Sequence, residues 1–382
     1  MITLILPDTL GGVYYNSLNL ANALERSGCH VSLVLTRQLD LQTAGSAPDS
    51  PRFPAKRLSF FSADNKHALF RKLEAALPVN SAVLVLNDWL DYKLVIHRQL
   101  PQKMIAIVHG DYPYYYELAS ASESRIDQFV CISERIAQKL KALLPFREKD
   151  IVFIPPLVPD TIVDRPQRRP NILRIVFVGR LTLDKGFNLL PLVADRLQKM
   201  GISCEWTVVA PHTTTEFDGW LHSERVAYHE YIHNDRMAEI YAKQDLILLP
   251  SHAEGFPLTI LEAMKAGVVP IATKLDTLSS VIEHGVTGFF FSANDSDGIV
   301  NRLAALHHDP ELLSAIRENA TSASRSRYSE SDVTKKWSEL LARSASGKDP
   351  HKPVKYMYDR LDTRWLPNKA TRAIRKWNQK KT

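Results

Sequence analysis

Leu246-Ile-Leu-Leu249-Pro250-Ser251-His-Ala-Glu254-Gly255-Phe256-Pro257-Leu258-Thr-Ile-Leu-Glu262 is the stretch from which the fold is read. Its first four residues are apolar, too few for a helix, and stop at Pro-Ser, which predicts a buried strand. A loop carrying Glu254 and Gly255 follows. From Leu258 to Ala266 the apolar spacing is that of a helix packed on a sheet. In an open α/β sheet such a loop lies at the carboxyl end of its strand, where ligands bind. The helix start presents unpaired N–H groups suited to a phosphate, and Gly255 lets the backbone approach a ligand closely. Glu262 lies one helical turn beyond Leu258 and can face the same ligand. A carboxylate does not favour a phosphate, so Glu254 and Glu262 read as partners of hydroxyls on a sugar or ribose. Spacing alone also admits a surface loop followed by an ordinary helix glutamate.

A second segment of the same design lies upstream, Val178-Gly179-Arg180-Leu-Thr-Leu-Asp184-Lys185-Gly186. It follows a strand at 172–178 and precedes a helix at 187–200. Arg180 and Lys185 put two cations at one strand end, which is what a diphosphate leaving group needs as negative charge grows on it. Arg binds such a group bidentately and Lys as a compact charge. Two solvated surface cations is the alternative. Strands at 204–210 and 268–272 and helices at 235–242 and 331–344 complete an α/β domain over 171–345.

The first half repeats the alternation. Strands are predicted at 2–6, 31–36, 81–86, 104–108 and 128–132, with a helix at 16–27 closed by Gly28 and another, capped by Ser133, running through Leu144. Strands alternating with helices predict mostly parallel, doubly wound sheets. Pro155-Pro156-Leu-Val-Pro159 and Asp164-Arg-Pro-Gln-Arg-Arg-Pro170 interrupt the pattern. The predicted organisation is an α/β chain with a Rossmann-like domain at 1–160, a linker at 161–170, a second Rossmann-like domain at 171–345 and a tail at 346–382. Two such domains predict a central cleft between them, a favoured place for ligands.

Within the first domain, Gly11-Gly12 follows strand one and either admits a phosphate or turns the chain. It is not the G-x-G-x-x-G of a dinucleotide site, which counts against a nicotinamide dehydrogenase. Val108-His109-Gly110-Asp111-Tyr112 stands just past another strand, so His109 either touches substrate or is structural. The tyrosines at 112, 114, 115 and 116 either stack on an acceptor sugar or pack the domain face. Asn87-Asp88-Trp89 ends the preceding strand, and Asp88, Asp111 and Tyr112 are the acceptor-side candidates. The Ala/Ser/Pro-rich stretch from Ala44 to Pro54 reads as a mobile acceptor-side loop.

The composition, 45% hydrophobic and 24% charged over 382 residues, is that of a folded chain with room for two cores. Three scattered cysteines, Cys29, Cys131 and Cys204, argue for free buried thiols in a reducing compartment. There is no H-E-x-x-H, paired-Cys motif or D-x-D, so no metal site is expected. The apolar start lacks a basic residue and a cleavage site, and no run reaches the ~20 apolar residues of a membrane span, so a cytoplasmic protein is expected. The net charge of +6 is uneven: residues 348–382 hold eleven Lys or Arg against three Asp, which leaves the remainder near −2. A basic tail rather than a basic domain face argues against nucleic acid as a partner.

Taken together, these residues resemble the retaining glycosyltransferases of family 4, the glycosyl transferases group 1, which have the GT-B fold. The resemblance rests on Gly11-Gly12, His109-Gly110, Cys131-Ile-Ser133-Glu134, Val178-Gly179-Arg180 through Lys185-Gly186, Pro250-Ser251 and the Glu-x7-Glu pair Glu254 and Glu262, in that order over roughly residues 1–345. It implies two Rossmann-like domains facing a central cleft. Arg180, Lys185, Glu254 and His109 would then be the catalytic set. Arg180 and Lys185, beside Gly179, would hold the donor diphosphate, and Glu254 the hydroxyls of the transferred sugar. The backbone of Phe256, Pro257 and Leu258 would meet sugar and phosphate, and Glu262 the ribose. Gly11 and Gly12 would lie by the phosphate, and His109 by the donor sugar. Tyr231 and Ile232 fall where the family contacts the base, although the glycine usual there is missing. The implied reaction needs no cofactor, metal or protein nucleophile, because the donor phosphate itself assists the acceptor hydroxyl.

The implied partners are a nucleotide sugar and a glycan or lipid-linked glycan acceptor, as in assembly of lipopolysaccharide or another surface polysaccharide. Tyr356, Tyr358, Trp365 and Trp377 among the cations of residues 348–382 suit an anionic membrane surface and a peripheral location on the inner face of the cell membrane. The tail packing on the first domain and a solvated extension are the other readings. A GT-B sugar-nucleotide epimerase or hydrolase, and a non-catalytic sugar-nucleotide-binding subunit, are the competing functions. The intact quartet Arg180, Lys185, Glu254 and Glu262 argues against the latter.

Overall fold

Ile2 to Leu6 is buried on both sides of the chain, as a central strand covered by helices on both faces requires. In the computed structural model, residues 1–9, 11–41, 52–166, 169, 171–211, 214–343, 362 and 366–379 are described. They divide into two units, Met1–Pro155 with Thr334–Thr382, and Pro156–Val333.

Unit 1 runs β1 (Ile2–Pro7), α1 (Gly12–Arg26), β2 (Val31–Gln38), β3 (Ala55–Phe60), α2 (Lys66–Ala76), β4 (Val83–Leu86), α3 (Trp89–His97), β5 (Lys103–Val108), α4 (Pro113–Ser122), β6 (Gln128–Cys131), α5 (Glu134–Leu143) and β7 (Ile151–Phe153). The sheet order is β3-β2-β1-β4-β5-β6-β7, with every pair parallel. Leu4 lies beside Leu33 on one flank and Val85 on the other. The chain reverses its direction of travel across the sheet between β1 and β4, so the loops leaving these neighbours part and open a crevice at their carboxyl ends.

Unit 2 repeats the plan with β8 (Ile172–Val178), α6 (Leu189–Lys199), β9 (Ser203–Val209), α7 (Asp218–Leu221), β10 (Val226–His229), α8 (Met237–Ala242), β11 (Leu246–Leu249), α9 (Leu258–Lys265), β12 (Val269–Thr273), β13 (Phe289–Phe291), α10 (Ser296–His308) and α11 (Pro310–Arg327). Its parallel order is β10-β9-β8-β11-β12-β13, with the reversal between β8 and β11. Phe187, fully buried, locks its ring edge-on against Phe177, Phe217 and Trp220 at 5.3, 5.0 and 5.8 Å between centroids. That anchor fixes the end of the loop carrying Arg180 and Lys185.

Two domain boundaries differ from expectation. The first unit ends at Pro155 rather than 160, because from Pro156 the linker is tied to unit 2. Lys265 in α9, 2% exposed, donates to the Val158 carbonyl and Asp160 at 2.7 Å each. The second unit ends at Val333 rather than 345, inside α12 (Glu330–Ala342). Beyond that point α12 belongs to unit 1, where Lys103 caps its end by donating to the Leu340 carbonyl at 2.9 Å. The cysteines are free, but only Cys131 is buried; Cys29 and Cys204 are half-buried.

The expected loop from Ala44 to Pro54 falls largely on residues outside the described set, as do Tyr356, Tyr358, Trp365 and the side chain of Trp377. The described part of the tail, Asp362 and α13 (Asn368–Gln379) with its approach, packs on unit 1. Asp362 accepts from the Lys66 N–H at 2.6 Å and from Arg375 at 2.9 Å. Asn368 accepts from the Asn65 N–H at 3.0 Å, and Arg372 pairs with Asp64 and lies 4.2 Å over the Phe61 ring. Among the described residues no helix is long and apolar enough to cross a membrane.

Asp245, fully buried at the start of β11, holds Arg174 and Arg317 through contacts of 3.0–3.1 Å. Removing the carboxylate strands two guanidinium groups in a low-dielectric setting. Asp245→Ala is expected to destabilise unit 2 by about 3–5 kcal/mol, read as a lowered urea midpoint in its unfolding transition.

Candidate functional site

The two loops at the reversal in unit 2 meet. After β8 the chain turns through Leu183–Lys185 to Gly186, whose φ of +65° is left-handed. A Cβ there would run into the carbonyl of Pro250 at the end of β11, so only glycine permits this approach. The approach brings Lys185 Nζ to 2.7 Å from Glu254 Oε1, with the side chains 19% and 12% exposed. The backbone adds a second tie, His252 N–H to the Asp184 carbonyl at 2.9 Å. Arg180 behaves differently. It points into solvent and pairs with Asp184 at 3.0 Å, both side chains more than half exposed.

Helix α9 begins at Leu258 with Pro257 in the N-cap position and no side chain capping it; the Leu258 and Ile260 N–H groups turn back to the Phe256 and Pro257 carbonyls at 3.0 and 3.1 Å, which leaves that of Thr259 to a ligand. Phe256 is buried against Tyr328, ring centroids 6.0 Å apart, and braces that turn. Glu262, half-buried one turn along α9, accepts a hydrogen bond from Tyr241 of α8 at 3.1 Å. Burial pushes its carboxyl up to about 7, against the opposing effect of the Tyr241 hydroxyl. Gly179 donates its N–H to the Val209 carbonyl at 3.1 Å and sits at the mouth of the same strand end. Tyr231 and Ile232, half-buried, follow β10.

In unit 1 the candidates separate into distinct roles. His109, at the end of β5, is buried, and its Nε2 lies 2.9 Å from Asn87 Oδ1 after β4. That oxygen also accepts from Ser17, while Asn87 Nδ2 donates to the Ile5 carbonyl. With Asn87 so oriented, His109 donates through Nε2–H and keeps Nδ1 as an acceptor. Burial pushes its pKa down to about 3, so the ring is neutral. Asp88 caps α3, accepting from the Trp89 N–H at 2.8 Å within a capping box completed by Asp91, and accepts from Tyr114 at 3.0 Å. Burial raises its pKa against those two bonds. Asp111 is spoken for by Lys139 and Arg135 at 2.8 Å and by Tyr116 at 2.7 Å. Burial raises its pKa, but these bonds outweigh it and hold the carboxyl below its ordinary range. An acceptor-side role for Asp111 is thereby displaced by an anchoring one. Tyr112 is 44% exposed at the start of α4 and leans on Gly110. Gly11 and Gly12 begin α1 and line a cavity with Asp88 and Trp89.

Three residues escaped the sequence reading. Tyr241 lies 21 positions from Glu262 and meets it only through helix packing. Asn87 stands in a segment already singled out, beside the residue chosen there. Trp89 does too, and a Trp directly after a strand-end carboxylate was the available signal.

Two α/β sheets, each with its chemistry at the strand-order reversal, define a GT-B protein. The Anabaena protein HepE, in complex with UDP and glucose, has this fold, with a TM-score of 0.69 at 16% identity over 90% of this chain and 100% of that one. The family described as Glycosyltransferase Family 4 matches residues 10–161, and that described as Glycosyl transferases group 1 matches residues 161–323. The N-acetyl-alpha-D-glucosaminyl L-malate synthase of Bacillus anthracis is 40% identical over 86 residues, 22% of this chain and 23% of that protein. The D-inositol 3-phosphate glycosyltransferase of Pseudarthrobacter chlorophenolicus is 31% identical over 145 residues, 38% and 29% of the two chains. The chain thus spans less than a third of these curated relatives' length. It belongs to the family 4, group 1 glycosyltransferases.

Glu262 carries a pH signature. Its folded pKa of about 7 stands above the ordinary 4.5, so between those values the folded chain holds a proton that the unfolded chain releases. Stability contributed here is present at low pH and is lost as pH rises through that window. Glu262→Gln is expected to remove this decline, gaining on the order of 1–2 kcal/mol over the parent above pH 7 after allowance for its partial exposure. Melting temperature against pH for both proteins checks this; parallel curves would refute it.

Proposed function

We propose that the chain is a retaining glycosyltransferase that moves a sugar from a nucleotide-diphosphate sugar to a hydroxyl of a glycan or lipid-linked glycan. The observation that supports this most is the Lys185–Glu254 pair beside the uncapped start of α9. Lys185 has three N–H donors and spends one on Glu254, so two remain for a diphosphate. Glu254 has acceptor sites left for sugar hydroxyls. As the bond from sugar to phosphate breaks, charge grows on the departing phosphate, and fixed cations and helix N–H groups lower that barrier most. Arg180 gives up only an exposed pair, worth about 0–1 kcal/mol, to join them. Glu262, with Tyr241 behind it, suits the paired hydroxyls of a ribose. With these charges in place the reaction proceeds without a divalent ion or a protein nucleophile, the donor phosphate taking the acceptor proton.

Assembly of a bacterial surface polysaccharide or lipopolysaccharide on the inner face of the membrane is the setting we propose. The positive tail supports it: on α13, Lys369 and Lys376, seven residues apart, are exposed on one face of the helix. Reversing both charges, Lys369→Glu with Lys376→Glu, is expected to lower co-sedimentation with phosphatidylglycerol vesicles by about tenfold or more. Unchanged pelleting rejects the membrane contact.

A melting-temperature screen over UDP-, GDP- and ADP-sugars identifies the donor, because a true one stabilises the folded state by mass action. With that donor, Lys185→Ala is expected to lower kcat by about 10²–10³. A raised KM at unchanged kcat would sink the leaving-group role, and an inverted anomeric configuration in the product would sink retention.

A further inference from the structure

The carboxyl ends of β1, β2 and β3 and the start of α3 line a half-open pocket of about 210 Å³ on unit 1. The start of α1 at Gly11 and Gly12 lines it, together with Thr36, Gln38, Phe60, Asp88 and Trp89. The volume is below the ~300–1,000 Å³ of sites for drug-sized ligands, a size that suits a single sugar ring rather than an oligosaccharide. The indole of Trp89 stands edge-on to Phe60 at 5.7 Å, and the ammonium groups of Lys66 and Lys93 lie over its ring at 5.8 and 5.2 Å from the centroid.

Charge narrows the occupant. Asp88 brings the one charged side chain in the lining, and neither lysine nor arginine lines the cavity among the described residues. A carboxylate offers about four acceptor positions. Those of Asp88 take the Trp89 and Asp91 N–H groups and the Tyr114 hydroxyl, which leaves room for one more donor. Gln38, whose side chain bonds to the Asp40 carboxylate, brings a further polar group to the lining. An anionic ring placed here would face Asp88 directly, while Lys66 and Lys93, over the Trp89 ring, stand outside the lining. The geometry points to an acceptor subsite for a single uncharged pyranose ring, held against Trp89 with a hydroxyl donating to Asp88. It rests on the transferase reading and adds the class of acceptor: a neutral sugar, neither a uronic acid nor a sugar phosphate.

Ligand-detected saturation-transfer NMR on the full-length protein tests this. The probes are methyl glucopyranoside and methyl galactopyranoside, against methyl glucuronide and glucose 6-phosphate. Transfer to at least one neutral glycoside is expected, falling about threefold to tenfold in Trp89→Ala, with little transfer to either charged probe. Gln38→Ala, at a half-buried strand end, is the milder variant and should weaken the same signal should Trp89→Ala fail to fold. Equal transfer to the charged probes, or transfer that neither substitution weakens, overturns the subsite. So does a full-length protein that nucleotide sugars stabilise but no neutral glycoside touches, which leaves the transferase reading standing. Neutral-glycoside binding that depends on Trp89 and Gln38, with no nucleotide sugar bound, keeps the subsite and removes the transferase.

Discussion

Strand order reverses once in each sheet, and the chemistry of the chain collects at those two points. Right-handed crossovers send the helices after β1 and β4, and after β8 and β11, to opposite faces of their sheets. The loops between strand and helix must therefore diverge, and the space left between them is bounded by backbone that no helix covers. In unit 2 this constraint would hold the Lys185 loop and the Glu254 loop apart, were it not for Gly186. Its left-handed backbone and missing Cβ let the first loop lie against the Pro250 carbonyl. The ion pair is thus a consequence of sheet topology together with one glycine. Phe187, immediately after that glycine and fully buried among aromatic rings, fixes the far end of the loop in the core.

Burial decides what each charge at this site can do. Arg180 and Asp184 are exposed, so their attraction is screened and their exchange for another anion is cheap. Lys185 and Glu254 are mostly covered, so their attraction is stronger and their geometry better defined. One cation is mobile and the other preset. Glu262 illustrates the opposite case. It is held not by a cation but by the Tyr241 hydroxyl, and desolvation without a compensating charge lifts its pKa. A carboxylate poised in this way accepts hydroxyl donors readily, because they supply the solvation that it lacks.

The strands that the sequence made legible are those buried on both faces, such as β1, β5 and β11, whose runs are mostly aliphatic. Those it hid lie at or near the sheet edges. β3 reads Ala-Lys-Arg-Leu-Ser-Phe and is exposed at most positions, as edge strands are, while β7 and β13 are only three residues long. Helix α3 hid for a different reason: six of its nine residues are buried, which erases the one-sided periodicity that marks an amphipathic helix. In the site, Gly-Arg, Lys-Gly and Glu-x7-Glu were visible because strand-loop-helix order assigns such residues a place. Partners that arrive through tertiary packing, Tyr241 to Glu262 or Asn87 to His109, have no fixed spacing to betray them. Asp111 shows the converse: a well-placed carboxylate whose neighbours Arg135 and Lys139, one turn apart on α5, had already claimed it.

Asp88 combines both lessons. As the N-cap of α3 it does what a serine or asparagine would do about as well, since one side-chain oxygen suffices to satisfy the first free N–H groups of a helix. A carboxylate in this half-buried setting carries a cost that those residues avoid, visible in its raised pKa. What a serine lacks is acceptor capacity. Two N–H groups and the Tyr114 hydroxyl would fill it, whereas a carboxylate retains a lone pair directed away from the helix. The extra capacity has a use only if another donor reaches Asp88 from the cavity side. The residue beside it, Trp89, supplies the flat apolar surface that a sugar ring needs while that hydroxyl is engaged. Helix cap and ligand contact are then one group, and the orientation of α3 is set by the same carboxylate that would read the acceptor.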